Sequence, residues 1–77
     1  MANFNEGDHV KITKIIGNFS KDDRGRDIAG QIGIIENVYP GGMILVRMDA
    51  INRDGRHNLF DFVAEQLELF TATTQVG

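Results

Sequence analysis

Residues 30–49, GQIGIIENVYPGGMILVRMD, constrain the fold most, because two apolar stretches flank a short turn there. Residues 30–38 and 43–48 are rich in β-branched and large apolar side chains, which is typical of strands. Between them, Pro40 fixes one φ near the value that a turn needs, and the two glycines that follow accept positive φ. The segment therefore predicts an antiparallel hairpin, and its glycines suit a strand that bends sharply or lies close to another backbone.

Alternation of the side chains predicts which face of this hairpin is buried. In the second strand, Ile44, Val46 and Met48 point to one face, and the residues between them point to the other. The first strand has no single phase. A bulge between Ile35 and Val38 would bring both of these side chains inward.

The remaining predicted elements are short. Residues 9–16 alternate as in a half-buried strand, 57–62 form a fourth strand and 67–70 a fifth. Residues 63–66 suit a single 3-10 turn, and 19–29 lack periodicity and predict a long, charged, solvated loop. The chain is therefore expected to be all-β, a small five-stranded antiparallel SH3-like barrel with a 3-10 turn before the last strand. Closure of the barrel would remove most exposed strand edges.

The length of 77 residues predicts one SH3-like domain over residues 1–77, with an ordered core over about 7–70. The predicted hydrophobic core consists of the inward-facing apolar residues of the five strands. These are Val10, Ile12, Ile32, Ile35, Val38, Ile44, Val46, Met48, Phe60, Phe62 and Leu67.

Composition argues against several functional classes. The net charge is −3, whereas nucleic-acid binders usually carry an excess of basic residues. The absence of cysteine excludes disulfides and thiolate metal sites, and there is no apolar run long enough to span a bilayer. The N-terminus does not resemble a signal peptide, so we expect a small, acidic, cytoplasmic protein. His9 and His57 are too few for a metal site, and no catalytic arrangement is evident. We therefore expect no cofactor and no enzymatic activity.

Several segments resemble known small barrels. Residues 7–12, GDHVKI, resemble the opening strand of the transcription-factor KOW domains and of the photosystem I reaction-centre subunit IV family, and 33–38, GIIENV, are similar to their second strand. Residues 44–49, ILVRMD, and 61–68, DFVAEQLE, resemble the third strand and the closing segment of the photosystem subunit. The variable chain of ferredoxin–thioredoxin reductase shares the same barrel. The resemblance covers most of residues 7–69 and implies an SH3-like fold with a non-catalytic, accessory role.

Four arginines in two turns form the first candidate partner-binding site: Arg24, Arg26, Arg53 and Arg56. Each pair flanks a glycine, and guanidinium groups pair with carboxylates and phosphates in a bidentate manner. In a barrel of this topology the two turns could share one side. The alternative is that these arginines are ordinary, solvated turn residues.

A second candidate site consists of apolar side chains that the strand phase leaves outside the core, above all Tyr39 and Leu45. Together the patterns favour an adaptor-like protein-binding module or accessory subunit that docks on a larger protein partner with an acidic surface. The alternative function is a nucleic-acid-binding, KOW-like barrel that uses the arginine-bearing loops. Steep salt dependence of binding would distinguish the two.

Overall fold

The computed structural model describes residues 4–70, which form five strands and one 3-10 turn. The strands are β1 (His9–Ile12), β2 (Ile32–Val38), β3 (Met43–Ile51), β4 (His57–Val63) and β5 (Leu67–Leu69), and the 3-10 turn Ala64–Gln66 immediately precedes β5. All pairings are antiparallel, in one sheet of order β4-β3-β2-β1-β5. The predicted all-β class, the number of strands and the position of the 3-10 turn are confirmed. Within these residues, no helix is long and apolar enough to cross a membrane.

The sheet is open, so the expectation that closure removes its edges is wrong. Among residues 4–70, β4 and β5 form the two edges and do not pair with each other. The buried side chain of Gln66 links the end of β4 to the segment that follows β1. Its Oε1 accepts the N–H of Val63 at 3.1 Å, and its Nε2 donates to the carbonyl of Lys14 at 3.3 Å. The backbone carbonyl of Gln66 also accepts the N–H of Thr13 at 2.7 Å, and β1 ends at Ile12, earlier than predicted.

The bulge expected in β2 is present, but only one of the two side chains that it was expected to bring inward is buried. The register with β3 shifts between Ile35 and Asn37. Ile35 is buried, whereas Val38 is 39% exposed. The reason is that β1 begins opposite Ile34, so the end of β2 extends past β1, and within residues 4–70 no strand residue pairs with Val38 on that side.

Nine apolar residues form the buried core: Val10, Ile12, Ile28, Ile35, Ile44, Val46, Met48, Phe62 and Leu67. Two further members of the predicted core are only partly buried. Ile32 lies opposite Lys11 on the outer face of the sheet, and Phe60 packs against the core from its margin. Ile28 is fully buried although it lies in the segment predicted to be a solvated loop. The long β1–β2 connection therefore contributes to the core.

The β2–β3 turn uses only one of its two glycines for conformational freedom. The N–H of Tyr39 donates to the carbonyl of Met43 at 2.8 Å, and the N–H of Gly42 donates to the carbonyl of Tyr39 at 3.0 Å. Gly42 has a φ of 97°, whereas Gly41 has no positive φ. This pattern is that of a three-residue hairpin loop with glycine at the left-handed position.

Candidate binding surface formed by two arginine turns

Residues 22–26, DDRGR, and 52–56, NRDGR, fold into the same five-residue turn. In both turns, the N–H of the first residue donates to the carbonyl of the fifth, at 2.9 and 2.8 Å, and the glycine N–H donates to the carbonyl of the first residue, at 3.0 Å in each. The two glycines, Gly25 and Gly55, have φ values of 78° and 80°. The glycines that separate the arginines are therefore required by the backbone conformation of the turn.

The first side chain of each turn fixes the loop that follows it. Oδ1 of Asp22 accepts the N–H groups of Arg24 and Arg26, both at 2.9 Å. Oδ1 of Asn52 accepts the N–H groups of the equivalent residues, the third and fifth of its turn, at 2.9 and 3.0 Å. Asp and Asn commonly stabilise turns by such local bonds, which here hold the arginine-bearing backbone in one conformation.

The two turns lie in contact with each other. The Nη2 of Arg26 donates to the carbonyl of Ile51 at 2.8 Å. In the opposite direction, the N–H of Arg53 donates to the carboxylate of Asp23, at 3.1 Å to Oδ2 and 3.3 Å to Oδ1. These two contacts join residues 25 and 30 positions apart in the chain into one surface.

Asp22 is the buried centre of this arrangement, with a side chain that is 1% exposed. Besides the two backbone bonds, its Oδ2 accepts Nε of Arg26 at 2.8 Å and Nε2 of Gln31 at 3.2 Å. Burial by itself raises the pKa of Asp22, but these hydrogen bonds outweigh it. The N–H of Arg26, the amide of Gln31, the N–H of Arg24 and the Arg26 guanidinium together lower the pKa from 3.8 to about 2. The carboxylate is thus held in its charged form.

Asp22→Asn is expected to lower the thermal midpoint at neutral pH and to flatten its loss in acid. The new amide can keep the Oδ1 bonds, as Asn52 does, but its NH2 group faces two donors, on Arg26 and Gln31. The pKa of Asp22 falls from its ordinary value of 3.8 to about 2 in the folded protein. The carboxylate therefore stabilises the fold fully above pH 3.8, and this stabilisation is lost as the pH falls through 2.

The measurement is the thermal midpoint of wild type, Asp22→Asn and Asp54→Asn from about pH 2 to about pH 7. Asp54→Asn is the matched control. Asp54 is the third residue of the second turn, its carboxylate is exposed, and only its backbone N–H donates a hydrogen bond within the turn. If Asp22→Asn had the midpoint and acid profile of the wild type, the buried carboxylate would not hold the turn together.

The structure divides the four candidate arginines into two kinds. The guanidinium of Arg26 is used internally, by Asp22 and by the carbonyl of Ile51. The other three arginines are exposed, and within residues 4–70 their side chains take part in no hydrogen bond or ion pair; they are Arg24, Arg53 and Arg56. These three side chains, on two joined turns, are called the twin-turn surface below.

The second candidate pair, Tyr39 and Leu45, lies elsewhere. Tyr39 is 41% exposed in the β2–β3 turn, at the end of β3 opposite to the one that carries Arg53. Nine residues of β3 separate the two ends, which corresponds to about 30 Å. Leu45 is only half-buried on the outer face, opposite Asn37. The two groups of candidate residues therefore do not form one continuous patch.

Within the described part of the chain, no group of three or more His, Asp or Glu side chains is arranged to hold a metal ion. Comparisons with protein-family models, with curated proteins and with solved structures found no match to this chain.

Proposed function

We propose that this chain is a non-catalytic, protein-binding module that acts in the cytoplasm and docks on an acidic surface of a larger partner through the twin-turn surface. The observation that carries the proposal is the pair of contacts that fixes the two turns against each other, between Arg26 and Ile51 and between Arg53 and Asp23. A backbone that is already ordered loses little conformational entropy on binding.

The chemistry of the free side chains supports a carboxylate-bearing partner. Arg24, Arg53 and Arg56 offer planar guanidinium groups, which form bidentate hydrogen bonds with carboxylates. Positive charge gathered in two turns of an acidic protein also steers an acidic surface toward that side. The resemblance to accessory subunits with an SH3-like barrel agrees with a docking role.

Nucleic acid fits this surface less well. Asp23 and Asp54 lie in the same two turns as the three free arginines, and they would repel a polyanion that approached both turns. A protein surface can place its carboxylates against the arginines and avoid the aspartates, whereas a phosphate backbone presents negative charge at regular intervals.

The test compares capture of partners from a cell lysate by wild type, Arg24→Glu/Arg56→Glu and Lys11→Glu/Lys14→Glu. Both double variants change the net charge equally, but Lys11 and Lys14 lie on or just after β1, outside the two turns. We expect the arginine variant to lose a captured protein that the lysine variant retains. Both should keep thermal midpoints close to wild type, because exposed substitutions usually change stability by no more than about 0.5 kcal/mol.

Two outcomes would contradict the proposal. Equal capture by both double variants would place the binding face elsewhere, with Tyr39 and Leu45 as the remaining candidates. Tight binding of the wild type to labelled single- or double-stranded oligonucleotides, collapsing steeply as salt rises and lost in the arginine variant, would favour the nucleic-acid function.

A further inference from the structure

The open sheet leaves β4 as a long edge strand whose one charged side chain is Asp61. Among residues 4–70, the backbone hydrogen bonds of residues 58–62 go to β3 alone. Protective devices at sheet edges include very short strands, lysine and proline. The other edge, β5, has three residues, whereas β4 has seven, HNLFDFV, and contains neither lysine nor proline.

Exposed apolar side chains lie on both faces of this edge. Leu59 is 54% exposed on the outer face, opposite Arg47 of β3. On the other face, Phe19 is 58% exposed, and its ring contacts Phe60 edge-on, with a centroid distance of 5.0 Å. An edge that combines unpaired backbone groups with apolar side chains on both faces is suited to pairing with another strand.

We propose that the strand that pairs with β4 is β4 of a second copy of this chain, antiparallel and with the two-fold axis at Leu59. A two-fold axis perpendicular to the sheet places the outer faces of both copies on the same side. Residues that lie opposite each other must then belong to the same face, which requires the axis to pass at a residue position. With the axis at Leu59, this leucine lies opposite itself, and His57 lies opposite Asp61 of the second copy, twice.

Other registers match the side chains less well. With the axis at Asp61, two carboxylates would lie opposite each other, and with the axis at Phe60, Leu59 would lie opposite Asp61. Cross-strand pairs of like charge are destabilising, whereas apolar pairs and pairs of opposite charge are stabilising. Nδ1 of His57 lies 2.7 Å from the carbonyl of Met48, which only accepts, so Nδ1 donates there. The acid form of the ring then has Nε2 free to donate to a carboxylate.

Cysteine cross-linking tests this register directly, because the chain contains no cysteine of its own. Opposite residues of an antiparallel pair have Cα atoms about 4.5–5.5 Å apart, within the range of a disulfide. We expect Leu59→Cys to form a covalent dimer on mild oxidation. Asp61→Cys is the control, since its two copies would lie on opposite sides of the axis, about 13 Å apart.

Sedimentation velocity gives the matching measurement without a cross-link. The wild type is expected to shift from monomer to dimer as its concentration rises. Leu59→Lys should remain monomeric with a near-wild-type thermal transition, because Leu59 is exposed and lysine protects edges. A wild type that stays monomeric up to its solubility limit would overturn the proposal. Equal cross-linking of Asp61→Cys and Leu59→Cys would also overturn it. So would a wild type that dimerises in sedimentation velocity while Leu59→Cys forms no disulfide-linked dimer.

Discussion

Val46→Asp is expected to abolish the cooperative thermal transition. Val46 is fully buried in the middle of β3, opposite Ile35 on one side and Phe60 on the other. An unpaired buried carboxylate costs several kcal/mol, which is comparable to the whole stability of a small domain. Circular dichroism during heating measures the effect. The matched control is Met43→Asp in the same strand, where the side chain is 38% exposed and a folded protein is expected. A transition close to wild type for Val46→Asp would contradict the assignment of Val46 to the core.

Gly33→Ala is expected to destabilise the protein by about 1–3 kcal/mol, as overpacking usually does. A Cβ at Gly33 would lie 2.6 Å from the backbone carbonyl oxygen of Arg47 and 2.7 Å from Cγ1 of Val46. The carbonyl oxygen can retreat only if β3 moves with it. The prediction that a glycine of β2 lies close to another backbone therefore holds at Gly33.

Gly41→Ala is the control for this substitution, because a Cβ there meets no atom within 4 Å and its φ is not positive. Its urea midpoint should equal or slightly exceed that of the wild type, since alanine restricts the unfolded chain. Equal urea midpoints for Gly33→Ala and Gly41→Ala would show that β2 and β3 are not as close at Gly33 as the structure has them.

Local patterns were sufficient to predict the strands and most of the core. The alternation of Ile44, Val46 and Met48 predicted the buried face of β3, and all three are buried. Features that depend on how distant parts meet were not predictable in this way. Val38 is exposed because β1 does not extend beside the end of β2, and the sheet stays open because β4 does not meet β5.

The centre of the candidate site was missed for a physical reason. A run of charged residues predicts a solvated loop, but Asp22 is buried because four hydrogen-bond donors surround its carboxylate. One sequence signal was available. Asp or Asn, then two residues, then Gly-Arg occurs at 22–26 and again at 52–56, and both segments form the same turn. The isolated apolar residue Ile28 was a second sign that the loop enters the core.

The rate of association with the captured partner tests the central proposal most directly. It is measured for wild type, Arg24→Glu/Arg56→Glu and Lys11→Glu/Lys14→Glu at low and at high salt. Electrostatic steering acts mainly on association and weakens as salt screens the charges. We expect the arginine variant to associate much more slowly than the lysine variant at low salt, with a smaller difference at high salt. Equal association rates for wild type and the arginine variant at both salt concentrations would contradict the proposal that the twin-turn surface binds the partner.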